Sequence, residues 1–242
     1  MITQKEAYEV IKSNSKTFYA DREGLIVKNR NLSFASDQKF MSLYQTLAED
    51  EKERGKLWRL HVFVWAFING LKVDGDLIEC GVYRGFSSAI AVRYTDFEKL
   101  KKRLLLFDTW EGIPDEQLDK GRNPNIETLI KYRDPDNYTK TKERFKDYKN
   151  VEIYKGKVPH VFSSVNIPKK ISFLHLDMNT SIGEIGALDF LFNRVTPGGI
   201  VLLDDFGLVL AKEQMKNETA WFLERGYSIC ELPTSQALVI KA

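Results

Sequence analysis

From Asp74 onward the chain repeats one device: a short apolar run that closes on an acid or a glycine, followed by a stretch long enough for a helix. The runs are Asp76-Leu-Ile-Glu-Cys80, Arg103-Leu-Leu-Leu-Phe-Asp108, Val151-Glu-Ile-Tyr154, Ile171-Ser-Phe-Leu-His-Leu-Asp177 and Gly199-Ile-Val-Leu-Leu-Asp-Asp205. Nearly unbroken apolar runs suit strands covered on both faces, because a half-exposed strand alternates polar and apolar residues. Such strands alternating with helices predict an α/β fold built on a mostly parallel sheet. Ligands of these sheets bind beyond the carboxyl ends of the strands. Four of the five runs carry an acid at or near that end, which sets a row of carboxylates along one rim. Tyr227-Ser-Ile-Cys-Glu-Leu232 and Ala237-Leu-Val-Ile-Lys241 are joined by Pro-Thr-Ser-Gln, a link short enough for an antiparallel C-terminal hairpin.

Residues 1–70 follow another grammar. Between Asp37 and Ile68, Phe40, Leu43, Tyr44, Leu47, Leu57, Leu60, Val64 and Phe67 recur at helical spacing. This predicts an N-terminal helical cap over residues 1–70, packed on a sheet domain over 71–242; the same cap is free to roof a pocket. A length of 242 residues suits one domain with an extension, and 43% hydrophobic residues supply a full core. No apolar run reaches the roughly 18–20 residues that span a bilayer, and the start, MITQKEAYEVIKSNSK, lacks the apolar stretch of a secretory leader. A cytoplasmic protein with no membrane partner is the expectation. The formal charge of +2 is too balanced to attract nucleic acid by bulk electrostatics. Cys80 and Cys230 stand 150 positions apart without CxxC spacing, which argues against zinc and a disulfide framework.

The first strand runs into Glu79-Cys-Gly-Val-Tyr-Arg-Gly85, ahead of a helical segment. Glycines at a strand-to-helix turn let a ligand reach the backbone, and the helix start offers amides. The spacing E-x-G-x-x-x-G is neither the dinucleotide fingerprint nor a P-loop, and glycines in such turns are as often purely structural. Asp108, 29 positions beyond Glu79, is placed to accept from a ribose diol; capping the next segment is the alternative. Trp110 either flanks an adenine ring or packs in the core. Asp177 and the pair Asp204-Asp205 would converge on one crevice, where close like charges call for a cation or a shared proton. An all-oxygen set suits Mg²⁺, unless some of these acids only cap helices. His175, inside a strand run, reads as a structural histidine, and His160 as a loop residue.

Residues 75–242 resemble the macrocin O-methyltransferase (TylF/MycF/NovP-like) family of class I S-adenosylmethionine-dependent methyltransferases. The matching segments run from Gly75 to Gly85, Leu106 to Pro114, Leu174 to Asn179, Pro197 to Gly207 and Leu232 to Gln236. Their order and joint occurrence are specific, though no single one is. The resemblance implies a Rossmann-like class I sheet and transfer of a methyl group to a hydroxyl of a small molecule, most often a sugar or glycosylated metabolite. It implies that Glu79, Gly81, Tyr83, Gly85 and Ser87 line the methionine end of S-adenosylmethionine, and that Asp108, Thr109 and Trp110 serve its ribose side. It further implies that Asp177, Asp204 and Asp205 ligate Mg²⁺ beside the acceptor, with Asp177 also taking the proton.

Three departures stand out. Asn179 replaces the second acid of a D-x-D pair, no histidine follows Asp205 within the next residues, and a Thr-Gly-Gln turn has become Thr234-Ser235-Gln236. A cofactor-binding homologue with weak or no catalysis is therefore a second reading. An NAD-dependent oxidoreductase is a third, opposed by the glycine spacing and the terminal hairpin. Self-association through the apolar helix near Trp65 stays open.

Overall fold

The computed structural model describes residues 3–21, 24–119 and 132–242. The N-terminal part holds α1 (Gln4–Ser13), a small antiparallel sheet of β1 (Phe18–Ala20) and β2 (Ile26–Lys28), then α2 (Gln38–Leu47), α3 (Glu51–Arg54) and α4 (Leu57–Leu71). The helical period of residues 37–68 is thus carried by three helices. Asp37 and Asp50 accept from the amides of Phe40 and Glu53 and so start α2 and α3. The small β1–β2 sheet has no signal in the sequence pattern.

The remaining elements are β3 (Asp76–Cys80), α5 (Phe86–Tyr94), β4 (Leu104–Asp108), α6 (Asp136–Phe145), β5 (Val151–Lys155), β6 (Ile171–Leu176), α7 (Ser181–Leu191), β7 (Val195–Leu203), α8 (Lys212–Glu224), β8 (Cys230–Glu231) and β9 (Ala237–Ile240). They form a seven-stranded sheet in the order β5-β4-β3-β6-β7-β9-β8. The first five strands pair in parallel, and the β8–β9 hairpin adds antiparallel to β7. The expected fold class is the one observed. β7 begins at Val195, earlier than the apolar run, because Val195 already pairs with Ile171 ahead of the Gly198-Gly199 irregularity. β8 is shorter than its run.

Each strand sends alternate residues to two covered faces. Leu77, Phe173 and Leu202 pack with Phe63 and Phe67 of α4 and with Ala89 and Ile90 of α5. Ile78, Leu174 and Val201 pack with Leu188 and Leu191 of α7 and Phe222 of α8. The rings of Phe63 and Phe173 meet edge to face at 5.5 Å between centroids, so the cap helix is part of the core on that side.

Register places the rim. Cys80 pairs with Phe107 and with Leu176, and Leu176 pairs with Leu203. The next residue on each of these four strands is Gly81, Asp108, Asp177 or Asp204, so these residues share one row. The order also reverses between β3 and β6, a switch point where a crevice opens at the carboxyl ends.

Candidate active site

The crevice, about 160 Å³ and open at its mouth, is lined on one side by Glu79, Gly81, Tyr83, Ser87, Asp108, Thr109 and Trp110 and on the other by Asp177, Asn179, Asp205, Lys52 and Lys56. All the residues expected at a cofactor are gathered around this space: seven line it, and Gly85 closes the turn behind them.

Gly81 is the hinge of that turn. Its φ is +88°, and a Cβ there would lie 2.0 Å from the carbonyl oxygen of Asp177. Only glycine lets the β3 turn close against the β6 end in this way. Gly85, at φ +70°, is the N-cap of α5, and no side chain caps that helix, so its first amides suit an anionic group. Asp108 ties the turn down: Oδ2 accepts from the amides of Val82 at 2.7 Å and Tyr83 at 2.8 Å, and Oδ1 from the amide of Trp110 at 2.7 Å. Trp110 is buried; its indole N–H donates to the Tyr83 carbonyl at 2.6 Å and its ring tilts against Tyr138. It is both a core residue and a wall of the cavity.

Glu79 is buried beneath the turn, accepts from the Ser88 hydroxyl, and lies 3.1 Å from Nδ1 of His175. Nε2 of His175 points toward Asp204, 3.9 Å from Oδ1. Burial lowers the proton affinity of His175, but Asp204 and Glu79 more than offset this and raise its pKa to about 10. The histidine thus lies buried between Glu79 and Asp204, two acids that favour its protonated form.

The cluster is assembled from two strand ends and the cap. Burial, followed by the charges of Asp204 and Asp205, pushes the Asp177 carboxyl well above the usual range. Asn179 donates to its Oδ1 at 3.1 Å. Asp204 is held well below the usual range: burial works against this, and Arg59 and His175 prevail. One guanidinium nitrogen of Arg59 donates to Asp204 Oδ2 at 2.9 Å and to Asp205 Oδ1 at 2.7 Å, and Nε donates to the Thr234 carbonyl at 3.3 Å. The other oxygen of Asp204 accepts from the Gln236 amide at 2.8 Å. Ser235, between Thr234 and Gln236, holds φ +62° where the related turn has glycine.

The three acids meet as the sequence suggests, but Arg59, Lys56 and the charged state of His175 carry no local signal there. Arg59 sits in a helix 145 positions before Asp204. Lys56 acts on Asp177 and Asp204 through its charge. Among the described residues, His175, Asp177 and Asp204 also bring one ligand atom each within 4.8 Å of one another. A magnesium ion shared by Asp204 and Asp205 requires oxygens at about 2.0–2.1 Å in near-octahedral array. Between these two acids that space holds the Arg59 nitrogen instead, so the pair does not fit the ion in this arrangement.

A family model described as macrocin O-methyltransferase (TylF) matches residues 53–221. Among solved structures, the O-methyltransferase NovP is similar at 19% identity and a TM-score of 0.61, over 77% of this chain and 80% of that one. The calicheamicin methyltransferase CalS11 shares 14% identity with a TM-score of 0.63, over 88% of this chain and 98% of its own. The Podospora anserina methyltransferase PaMTH1, solved with S-adenosylhomocysteine, shares 11% identity with a TM-score of 0.57, over 100% of this chain and 97% of that one. At these identities the likeness is one of fold. No curated protein matches the chain. No described helix is long and apolar enough to cross a membrane.

Proposed function

This chain belongs to the macrocin O-methyltransferase (TylF) family and is an S-adenosylmethionine-dependent methyltransferase; from that premise we propose that its acceptor is a hydroxyl of a small, sugar-like molecule. The observation that carries this reading is the two-sided crevice, with a glycine turn and buried acid on one side and Asp177, Asp205 and Lys56 on the other.

When bound, S-adenosylmethionine would supply an electrophilic methyl group with a neutral thioether as its leaving group. The backbone of the Gly81–Gly85 turn, which Asp108 stiffens, would hold it, with Glu79 beneath. Its own residues must orient the acceptor in line and remove a proton from a hydroxyl that is barely ionised at neutral pH. Asp177 faces the cavity and has one carboxylate oxygen held by Asn179, so in this reading its ionised form accepts that proton. Asn179 is an amide and cannot take one; its bond to Asp177 orients the carboxyl. Polar side chains around the acceptor end suit a hydroxylated rather than an apolar substrate. Magnesium at Asp177, Asp204 and Asp205 belongs to the family resemblance; in this chain Arg59 stands between two of these acids.

The cofactor end is tested first by thermal shift. S-adenosylhomocysteine at about 100 times its Kd should stabilise the chain by about 2.7 kcal/mol, and NAD should leave the melting curve in place. Glu79→Ala should remove most of the shift. Transfer of a labelled methyl group to a panel of nucleotide sugars and glycosides tests the acceptor, and Asp177→Asn should lower turnover about 100-fold or more. Tight cofactor binding with no transfer to any hydroxyl would favour the non-catalytic homologue, to which Asn179 lends its weight.

A further inference from the structure

We propose that Arg59 is the resident cation of the acid cluster, standing where a divalent metal would bridge Asp204 and Asp205, so that this chain works with a built-in guanidinium in place of Mg²⁺. The proposal rests on reading the cluster as the acceptor end of the site. Arg59 enters from the first turn of α4, is buried, and sends a single nitrogen to both acids at 2.9 and 2.7 Å. Gln236 takes the second oxygen of Asp204, and Thr234 anchors Nε. Asp204 therefore has both oxygens engaged by the chain, and Nε2 of His175 lies 3.9 Å from the oxygen that Gln236 holds.

Metal and guanidinium exclude each other here on two grounds. A magnesium ion draws its ligand oxygens to about 2.0–2.1 Å and keeps a full shell around itself, whereas a nitrogen already fills the notch between the carboxylates. The charge is also met from within. Glu79, Asp177, Asp204 and Asp205 face Arg59, Lys56 and the His175 ring, and an arginine stays protonated at any working pH. Adding a divalent ion to that set would place it beside a fixed positive charge. The residues that hold Arg59 come from distant parts of the chain: α4, the end of β7 and the β8–β9 turn. This is a positioning role, because Arg59 lies behind Asp205 rather than on the cavity wall.

The test uses the full-length chain, stripped with chelator, and Mn²⁺ as the probe, read by electron paramagnetic resonance with and without S-adenosylhomocysteine. The wild type should leave the signal of free Mn²⁺ unchanged, and its melting temperature should not move with chelator or with Mg²⁺. Arg59→Met vacates the notch and should bind Mn²⁺ about ten-fold or more tightly than the wild type. Stoichiometric Mn²⁺ binding by the wild type would overturn the proposal, as would an Arg59→Met chain that binds no better. Should Arg59→Met not fold, Arg59→Gln replaces it: a neutral amide removes the fixed charge that a guanidinium always carries, so a gain in Mn²⁺ affinity supports the proposal and none overturns it. The melting shift with S-adenosylhomocysteine is read separately, so a failure of the methyltransferase reading at the cofactor end is distinguishable from a failure at Arg59.

Discussion

Gly81 bears the tightest constraint at the site. A Cβ at this position meets a backbone carbonyl at 2.0 Å, and the φ of +88° is strained for any other residue. The carbonyl belongs to Asp177, whose amide is itself bonded to the Cys80 carbonyl at 2.8 Å, so it cannot swing aside without opening the end of the sheet. Gly81→Ala should cost about 3 kcal/mol or more in urea unfolding and abolish the cofactor-induced melting shift. A variant within about 0.5 kcal/mol of wild type, the usual range for surface substitutions, would show that the turn relaxes freely. The carboxylates of this site were legible in the sequence because strand ends in a parallel sheet share a row: once the runs ending at Asp108, Asp177 and Asp204 are seen, their meeting follows from register. Arg59 was not legible. It is one of 36 basic residues, it lies on a face of a helical stretch, and only the packing of that helix decides which acids it meets. Trp110 shows the opposite limit: the sequence offers a core residue or a neighbour of an adenine ring, and the folded side chain is buried in the core while also lining the cavity.

At the scale of elements, the seam between α7 and α8 carries a pair of buried acids, Glu184 and Glu218. Glu184 accepts from the amides of Met178 and Asn179 at 3.0 and 3.1 Å, and Gln214 donates to its other oxygen at 3.1 Å, so this helix side chain fixes the loop that carries the site. Burial, then the charge of Glu218, raises the Glu184 carboxyl well above its ordinary range. Burial is also the first cause for Glu218, whose pKa rises to about 7 from 4.5. The folded chain thus holds protons that the unfolded chain has released. The resulting stability is complete below the ordinary glutamate range and is lost as pH rises through about 7. His175, held protonated up to about pH 10, acts with the same sign: its contribution falls from its unfolded value near 6.5 upward. The melting temperature should therefore decline from about pH 4.5 upward, and Glu218→Gln, which removes the ionisable group, should flatten the part of that decline up to about pH 7, worth roughly 1–3 kcal/mol. Parallel wild-type and variant curves over this range would refute the shared burial of protons. Nothing in the sequence announced this pair: α7 and α8 read as helices, but two acids 34 positions apart gain a relation only when the helices cross.

At the scale of the molecule, the cap and the sheet bear on each other through charge as well as apolar packing. Glu53 on α3 is buried against Arg84, which follows β3, at 3.0 Å and against Arg144 on α6 at 3.5 Å. Glu49 joins the same network from the cap, 2.7 Å from Arg144. Arg144 also donates to the backbone carbonyls of Arg84 and Leu47. Removing Glu53 leaves Arg84 on Asp50 at 2.6 Å and Arg144 on Glu49 at 2.7 Å, so its cost should fall below the about 3–5 kcal/mol of a buried charge left unpaired. The sequence pattern separates a helical N-terminal stretch from an α/β remainder, because periodicity is local and records nothing of which face lies on which. In the folded chain α4 supplies Phe63 and Phe67 to the same apolar cluster as Leu77, Phe173 and Leu202 of the sheet, and through Arg59 it also supplies a charge to the site. A cap that shares both core and charge with the sheet should not melt by itself. Calorimetry of the intact chain should give one transition with matching calorimetric and van't Hoff enthalpies, and Glu53→Leu should lower its midpoint without splitting it. Two resolved transitions, the earlier one abolished by deleting residues 1–56, would mean that the helices ahead of α4 rest on the sheet as a separate unit.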